Sequence, residues 1–186
     1  MEIYLVRHTT PDIGKDTCYG QSNVPLAKGY QAEMAHTSSL LPDTIDQCYT
    51  SPLLRCKTLA YELAEQVVTD SRLLELNFGD WELKLWDQIQ NDQLTLWMKN
   101  YVDHGPPQGE SYQQLADRVT LAWNEITTSP YETVVLVCHA GVIRALLAQL
   151  LNLDLQDSFK LQVDYGSVTK VTLNQNLTTI CYTNRR

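Results

Sequence analysis

The sequence predicts an α/β fold: a three-layer α/β/α sandwich around a mixed, mostly parallel central sheet. Three observations carry this. Residues 3–6 form an apolar run at the start of the chain. "TVVLVC" at 133–138 forms a second, continuous one, the pattern of a strand covered on both faces. Between strand-like runs lie stretches with helical periodicity, as parallel strands require. The tail alternates instead, with "SVTKVTL" at 167–173 and "LTTICYT" at 177–183 reading as a hairpin across 174–176.

The elements follow in order. Residues 2–6 read as a strand, 27–41 as a helix and 45–50 as a second strand. In "SPLLRCKTLAYELAEQ", Ser51 is a good helix cap and Pro52 suits the first helical position, so a helix is expected from there to about Gln66. A short strand is expected at 67–69. Segment 71–112 holds Trp81, Trp86 and Trp97 and a "GPPQG" break at 105–109, with room for one or two short helices. A helix is expected over 110–128, with Leu115, Val119, Ala122 and Ile126 on one face. "AGVIRALLAQLL" follows the 133–138 strand as another helix. No linker, repeat or low-complexity stretch interrupts the chain, so 1–186 is expected to form one domain, with a substrate-facing insert around 76–112.

Composition limits the function. The net charge of −8 argues against nucleic acid or an anionic membrane as partner, since attraction to phosphate backbones needs excess Lys and Arg. A small anionic substrate needs only one basic pocket. No apolar stretch approaches the roughly 20 residues of a membrane span, and no secretory leader is evident. The five cysteines (18, 48, 56, 138 and 181) form no C-x-x-C pair and read as reduced thiols of a cytoplasmic protein. The histidines at 8, 36, 104 and 139 lack metal-ligand spacing, and no metal or cofactor is expected. Neither G-x-x-x-x-G-K-[ST] nor G-x-G-x-x-G occurs, which leaves nucleotide and dinucleotide chemistry unsupported.

Open α/β sheets bind ligands beyond the carboxyl ends of their strands. Here the first strand ends at Arg7-His8, the 133–138 strand ends at His139, and Arg55 sits one turn into another helix that follows a strand. Helix N-termini favour anions, and guanidinium forks match phosphoryl oxygens. Taken singly, Arg7-His8 is equally a solvated strand end, Arg55 a surface helix residue and His139 a satisfied core histidine. Their repeated placement at strand-to-helix junctions is what points to a phosphate. A competing arrangement is Cys138, five residues, then Arg144, which is the spacing of cysteine-dependent phosphatases. That reading leaves Arg7, His8 and Arg55 unexplained, and Val142 and Ile143 are bulky for a phosphate loop.

"LVRHTTP", "SPLLRCKTLA", "ELNFGDWE" and "VCHAGVIRAL" occur in the order found in the histidine phosphatase superfamily, the phosphoglycerate mutase-like fold, which the chain resembles from residue 3 to about 172. Within it, "CYGQSNVPLAKG", "LNFGDWELKLWDQI", "GES" and "VDYGSVTKVTL" resemble the alpha-ribazole phosphatase family of late cobalamin synthesis. The resemblance implies a metal-independent phosphomonoesterase. His8 would become the phosphohistidine, Arg7, Arg55 and His139 would hold the phosphoryl group, and Glu75 would be the proton donor, with Glu82 as second choice. Gln21, Ser22, Glu82 and Trp81 are the expected substrate contacts, and Trp86, Trp97 and Tyr101 could join Trp81 in an aromatic wall that stacks on a flat base. The chain departs from the family pattern at Thr9, Thr10, Gly14 and Asn23. A broad sugar or nucleotide phosphatase, a mutase and a catalytically silent phosphate-binding protein remain as alternatives.

Overall fold

The computed structural model describes residues 1–174 and 177–186. Its sheet has the order β3-β2-β4-β1-β5-β6. The strands are β1 (Glu2–Arg7), β2 (Gln47–Thr50), β3 (Val67–Thr69), β4 (Thr133–Cys138), β5 (Val168–Asn174) and β6 (Leu177–Arg185). β3 pairs with β2, β2 with β4 and β4 with β1, all in parallel, while β5 pairs antiparallel with β1 and β6 antiparallel with β5. The helices are α1 (Tyr30–Ser39), α2 (Leu54–Leu63), α3 (Asn91–Asn100), α4 (Tyr112–Thr127) and α5 (Ala140–Leu151). The turn expected across 174–176 lies outside the described residues.

Side-chain alternation along the central strands builds two cores. Ile3, Leu5, Val134 and Leu136 face α4 and α5, whereas Tyr4, Val6, Val135 and Val137 face α1 and α2. Each of these aliphatic side chains contributes about 1.5–3 kcal/mol on burial. Helices on both faces of a mostly parallel sheet make the three expected layers. No helix among the described residues is long and apolar enough to cross a membrane.

Two expectations for the second helix need correction. It runs from Leu54 to Leu63, not from Pro52 to Gln66, and Ser51 is not its cap. The cap comes from a distant loop: Asn23 Oδ1 accepts from the Leu54 N–H at 2.9 Å. This frees the Ser51 hydroxyl for the site described below. Segment 71–112 contains α3 and three short 3₁₀ turns, at Ser71–Leu73, Gly79–Trp81 and Trp86–Gln88. Arg118 of α4 anchors its start, donating to the carbonyls of Arg72, Leu74 and Glu75 at 2.7, 2.7 and 3.0 Å while paired with Glu110.

Candidate active site

The chain enters the sheet at β1, crosses to β2 beyond the place of β4, and returns to fill it. The carboxyl ends of β1, β4 and β2 therefore lie side by side, and each releases a polar residue at the same edge: His8, His139 and Ser51. Sheet hydrogen bonding fixes His8 from both sides. Its N–H donates to the Cys138 carbonyl at 3.1 Å, and its carbonyl accepts from Gly166 N–H at 3.2 Å.

The His8 ring is 2% exposed. Its Nδ1 lies 2.7 Å from the Thr9 carbonyl, and its Nε2 lies 3.2 Å from Arg55 Nε. A carbonyl can only accept and a guanidinium only donates, so Nδ1 carries the proton and Nε2 presents its lone pair. Burial, Arg55 and Arg7 together hold its pKa well below the usual histidine value. His139 stands edge-on behind it at 5.1 Å between ring centroids. Burial and then Arg55 depress its pKa in the same way. Its Nε2 meets Ser51 Oγ at 2.8 Å and Cys56 Sγ at 3.5 Å.

Arg55 is completely buried, and no carboxylate among the described residues is in contact with it. Its charge is met by dipoles instead: Nη1 donates to Ser22 O at 2.9 Å and Nη2 to Gly20 O at 2.5 Å. The other side of the same loop faces Glu82, whose carboxylate accepts from the N–H groups of Gly20, Gln21 and Ser22 at 3.0, 2.8 and 3.1 Å, and of Phe78 at 3.2 Å. Peptides 20–22 thus relay the Glu82 charge toward Arg55. Burial raises the Glu82 pKa, but the hydrogen bonds from Ser22, Gly20, Gln21 and Phe78 outweigh it, and the carboxyl is held below its ordinary value. Arg7 is half-buried, donates to Val163 O at 2.6 Å and lies 3.6 Å from the Tyr165 ring centroid. Its Nε is buried without a partner among the described residues.

These groups border a cavity of about 280 Å³ lined by Arg7, His8, Arg55 and Glu75, together with Lys15, Tyr19, Arg144 and Tyr165. Glu75 comes from the opposite wall, where its carboxylate accepts from Leu76 N–H at 3.0 Å and from Gly141 N–H, near the start of α5, at 3.2 Å. A Cβ at Gly141 would fall far inside contact distance of Glu75 Oε1, so this approach needs a glycine there.

Several expected residues stand elsewhere. Gln21, Ser22 and Glu82 are not in the cavity wall; they form the support behind Arg55, and Gln21 Nε2 also holds the Glu75 carbonyl at 3.0 Å. Trp81 is 3% exposed and packs against Cys18 and Ile89. Of the expected aromatic wall, only Trp86 borders this cavity. His139 lies under the cavity floor, not in its lining. Cys138 is a fully buried residue of β4, and burial pushes its thiol well above the ordinary value. The residues after His139 are helical, not looped around an anion, and Arg144 donates to Leu161 O at 3.0 Å. Neither feature suits a cysteine nucleophile. Among the described residues, no cluster of three or more His, Cys, Asp or Glu could hold a metal.

Sequence reasoning missed Lys15, Tyr19, Tyr165 and the role of Ser51, all of which reach the site from loops. Arg144 had a usable signal, since it lies one helical turn after Ala140 on the face that meets the cavity.

A neutral histidine with an unprotonated Nε2, a buried guanidinium held by backbone carbonyls and a facing carboxylate define a phosphoric monoester hydrolase. The chain belongs to the histidine phosphatase superfamily (branch 1), whose model matches residues 3–185. It is 28% identical to the adenosylcobalamin/alpha-ribazole phosphatase of Escherichia coli K12, over 100% of this chain and 97% of that one. It is 30% identical to a protein of Escherichia coli O1:K1 named probable phosphoglycerate mutase, over 95% and 87%. The alpha-ribazole phosphatase structure from Shigella flexneri superposes with a TM-score of 0.90 at 26% identity, covering 99% of this chain and 96% of that one.

Proposed function

We propose that this chain hydrolyses a phosphate monoester through a phosphohistidine at His8, and that its substrate is alpha-ribazole 5'-phosphate or the 5'-phosphate of the derived cobalamin. On this reading the chain is one cytoplasmic domain whose segment 76–112 faces the substrate. The observation that carries it is the His8 hydrogen-bond pattern. Nδ1–H is fixed on a carbonyl, and Nε2 is a lone pair beside two cations at the cavity floor. The similarity to alpha-ribazole phosphatases along the full chain supports the substrate.

In this mechanism, His8 Nε2 attacks phosphorus in line with the ester oxygen, and the P–O bond breaks as the P–N bond forms. Arg55 Nε–H, 3.2 Å from Nε2, turns to a phosphoryl oxygen, and the Arg7 Nε–H takes another. His139 backs the same group from beneath. Fixed donors of this kind stabilise the charge that develops on the equatorial oxygens. Glu75 delivers a proton to the leaving alkoxide. It then accepts a proton from the water that attacks the phosphohistidine, releasing phosphate and restoring His8.

Phosphate release from alpha-ribazole 5'-phosphate and from a chromogenic ester, in excess chelator, tests the reading. Native protein and Cys138→Ser should turn over both, and His8→Ala neither. Loss with Cys138→Ser alone would move the nucleophile to the cysteine. Phosphate binding without turnover would identify a silent binding protein. Equal kcat/KM for sugar and nucleotide phosphates would make the chain a broad phosphatase of the same family.

A further inference from the structure

A second cavity adjoins the phosphate site, and the mechanism above makes no use of it. It measures about 460 Å³, and its walls expose no polar surface. Leu94, Trp97 and Met98 of α3 form one side. The two cavities share Leu76, Phe78, Trp86, Tyr112 and Phe159, so they are two parts of one cleft. The walls are strongly aromatic. Trp86 and Trp97 stack at 6.2 Å with 23° between planes, and Phe159 lies edge-on to Tyr101 at 5.2 Å. At the rim, Met98 is 63% and Phe159 52% exposed. The volume lies within the range of small-molecule sites, about 300–1,000 Å³.

We infer that this chamber receives the leaving group, and that the ester cleaved here carries a bulky, predominantly apolar or aromatic body. The inference rests on the phosphohistidine reading, because continuity with the His8 cavity is what assigns an occupant. With the phosphoryl group on His8 and Arg55, the remainder of the substrate can extend past the shared residues into this chamber. A short hydroxylated or carboxylated body would strip its polar groups of water against walls that offer them no partner, an unfavourable exchange. A fused ring fits the space with room to spare and can stack on Trp86 or Trp97 in offset or edge geometry. The bicyclic base of alpha-ribazole meets this description, as does an unrelated aryl or arylalkyl phosphate. Serine, glycerate and free sugar phosphates do not.

The test must separate apolar recognition from leaving-group acidity. Ethyl phosphate and 2-(1-naphthyl)ethyl phosphate are both esters of primary alcohols of similar acidity, so the ratio of their kcat/KM values reports the chamber. The native enzyme should favour the naphthyl ester by about 100-fold or more, since a single methylene in an apolar pocket already yields 10–200-fold. Met98→Asp and Phe159→Ser, at exposed rim positions, should each lower that ratio by roughly tenfold. A native ratio near one, or a ratio that neither variant changes, would overturn the assignment while leaving the phosphatase reading intact. If neither ester is turned over, the phosphatase reading has failed, and calorimetry with the two matching phosphonates then judges the chamber separately. Tighter naphthylethyl binding with a negative ΔCp supports it, and equal affinities overturn it. A concentration-dependent dimer dissolved by Met98→Asp, with an ester ratio near one, would make this surface an interface between copies and also overturn it.

Discussion

Gly141 lets one methyl group separate catalysis from stability. Its N–H donates to Glu75 Oε2, and a Cβ added there would fall far inside contact distance of Oε1. The obstructed atom is the end of a flexible side chain, so in Gly141→Ala the carboxylate swings aside and the backbone stays. Gly141 lies in the first turn of α5, where alanine is preferred over glycine by up to about 1 kcal/mol. The variant should therefore melt at or above the native temperature. Positioned proton transfer is worth about 10²–10⁴-fold, so a displaced Glu75 should lower kcat/KM for an alkyl phosphate by about 100-fold, or about 2.7 kcal/mol. The kcat/KM of a nitrophenyl ester, whose leaving group needs no proton, should fall less than about threefold, because that ratio ends at release of the alcohol and omits the later attack of water. The assay is kcat/KM on both esters together with a thermal melt. An equal loss on both esters, or an unchanged rate on the alkyl ester, would refute Glu75 as the group that protonates the leaving oxygen. A large drop in Tm would refute the premise that only the carboxylate moves.

Other consequences concern charge and capping. His8 and His139 are neutral and buried with lowered pKa values. The unfolded chain therefore binds the extra protons first, and stability, complete above about pH 6.5, should fall as pH drops below that value. The limiting slope is about 1.4 kcal/mol per pH unit for each histidine, and urea titrations across pH 5–8 should show His8→Asn halving it. The lowered pKa of Glu82 acts in a more acidic window. Its contribution is present above the ordinary carboxylate pKa near 4.5 and is lost as pH falls through the lower folded value. Glu82→Gln should cost about 2 kcal/mol at pH 7, read as a Tm fall of about 4–8 °C, because backbone donors 20–22 lose a charged acceptor. Asn23→Ala removes the cap of the helix that carries Arg55 and should cost about 1 kcal/mol; Asn23→Asp should recover it, as denaturant midpoints can show.

Much of the scaffold was legible because local pattern and tertiary demand agree. The 133–138 run is apolar throughout since β4 is covered on both faces, and the alternation in 167–173 survives because β5 lies nearer the edge of the sheet. Arg7, His8, Arg55 and His139 were legible because a strand end or first helical turn is a property of the local sequence. The rest of the site is non-local. Ser51 has the composition of a cap, but Asn23 supplies that cap from 31 positions away and the serine turns to His139. Glu82 looks like a second proton donor until the fold places it under peptides 20–22. Trp81 and Trp97 looked equivalent in sequence, yet only packing determines that Trp81 is sealed with Cys18 and Ile89 while Trp97 walls a chamber.

The central claim is that His8 becomes covalently phosphorylated, and rapid quenching tests it directly. Native protein mixed with a ³²P-labelled nitrophenyl ester, whose leaving group needs no proton from Glu75, and quenched within one turnover should carry a label that is stable in alkali, lost in acid and mapped to His8. Glu75→Gln, which slows the attack of water, should accumulate more of it, and Cys138→Ser should carry as much as native. Label that persists in His8→Ala, or maps to Cys138, would contradict the account.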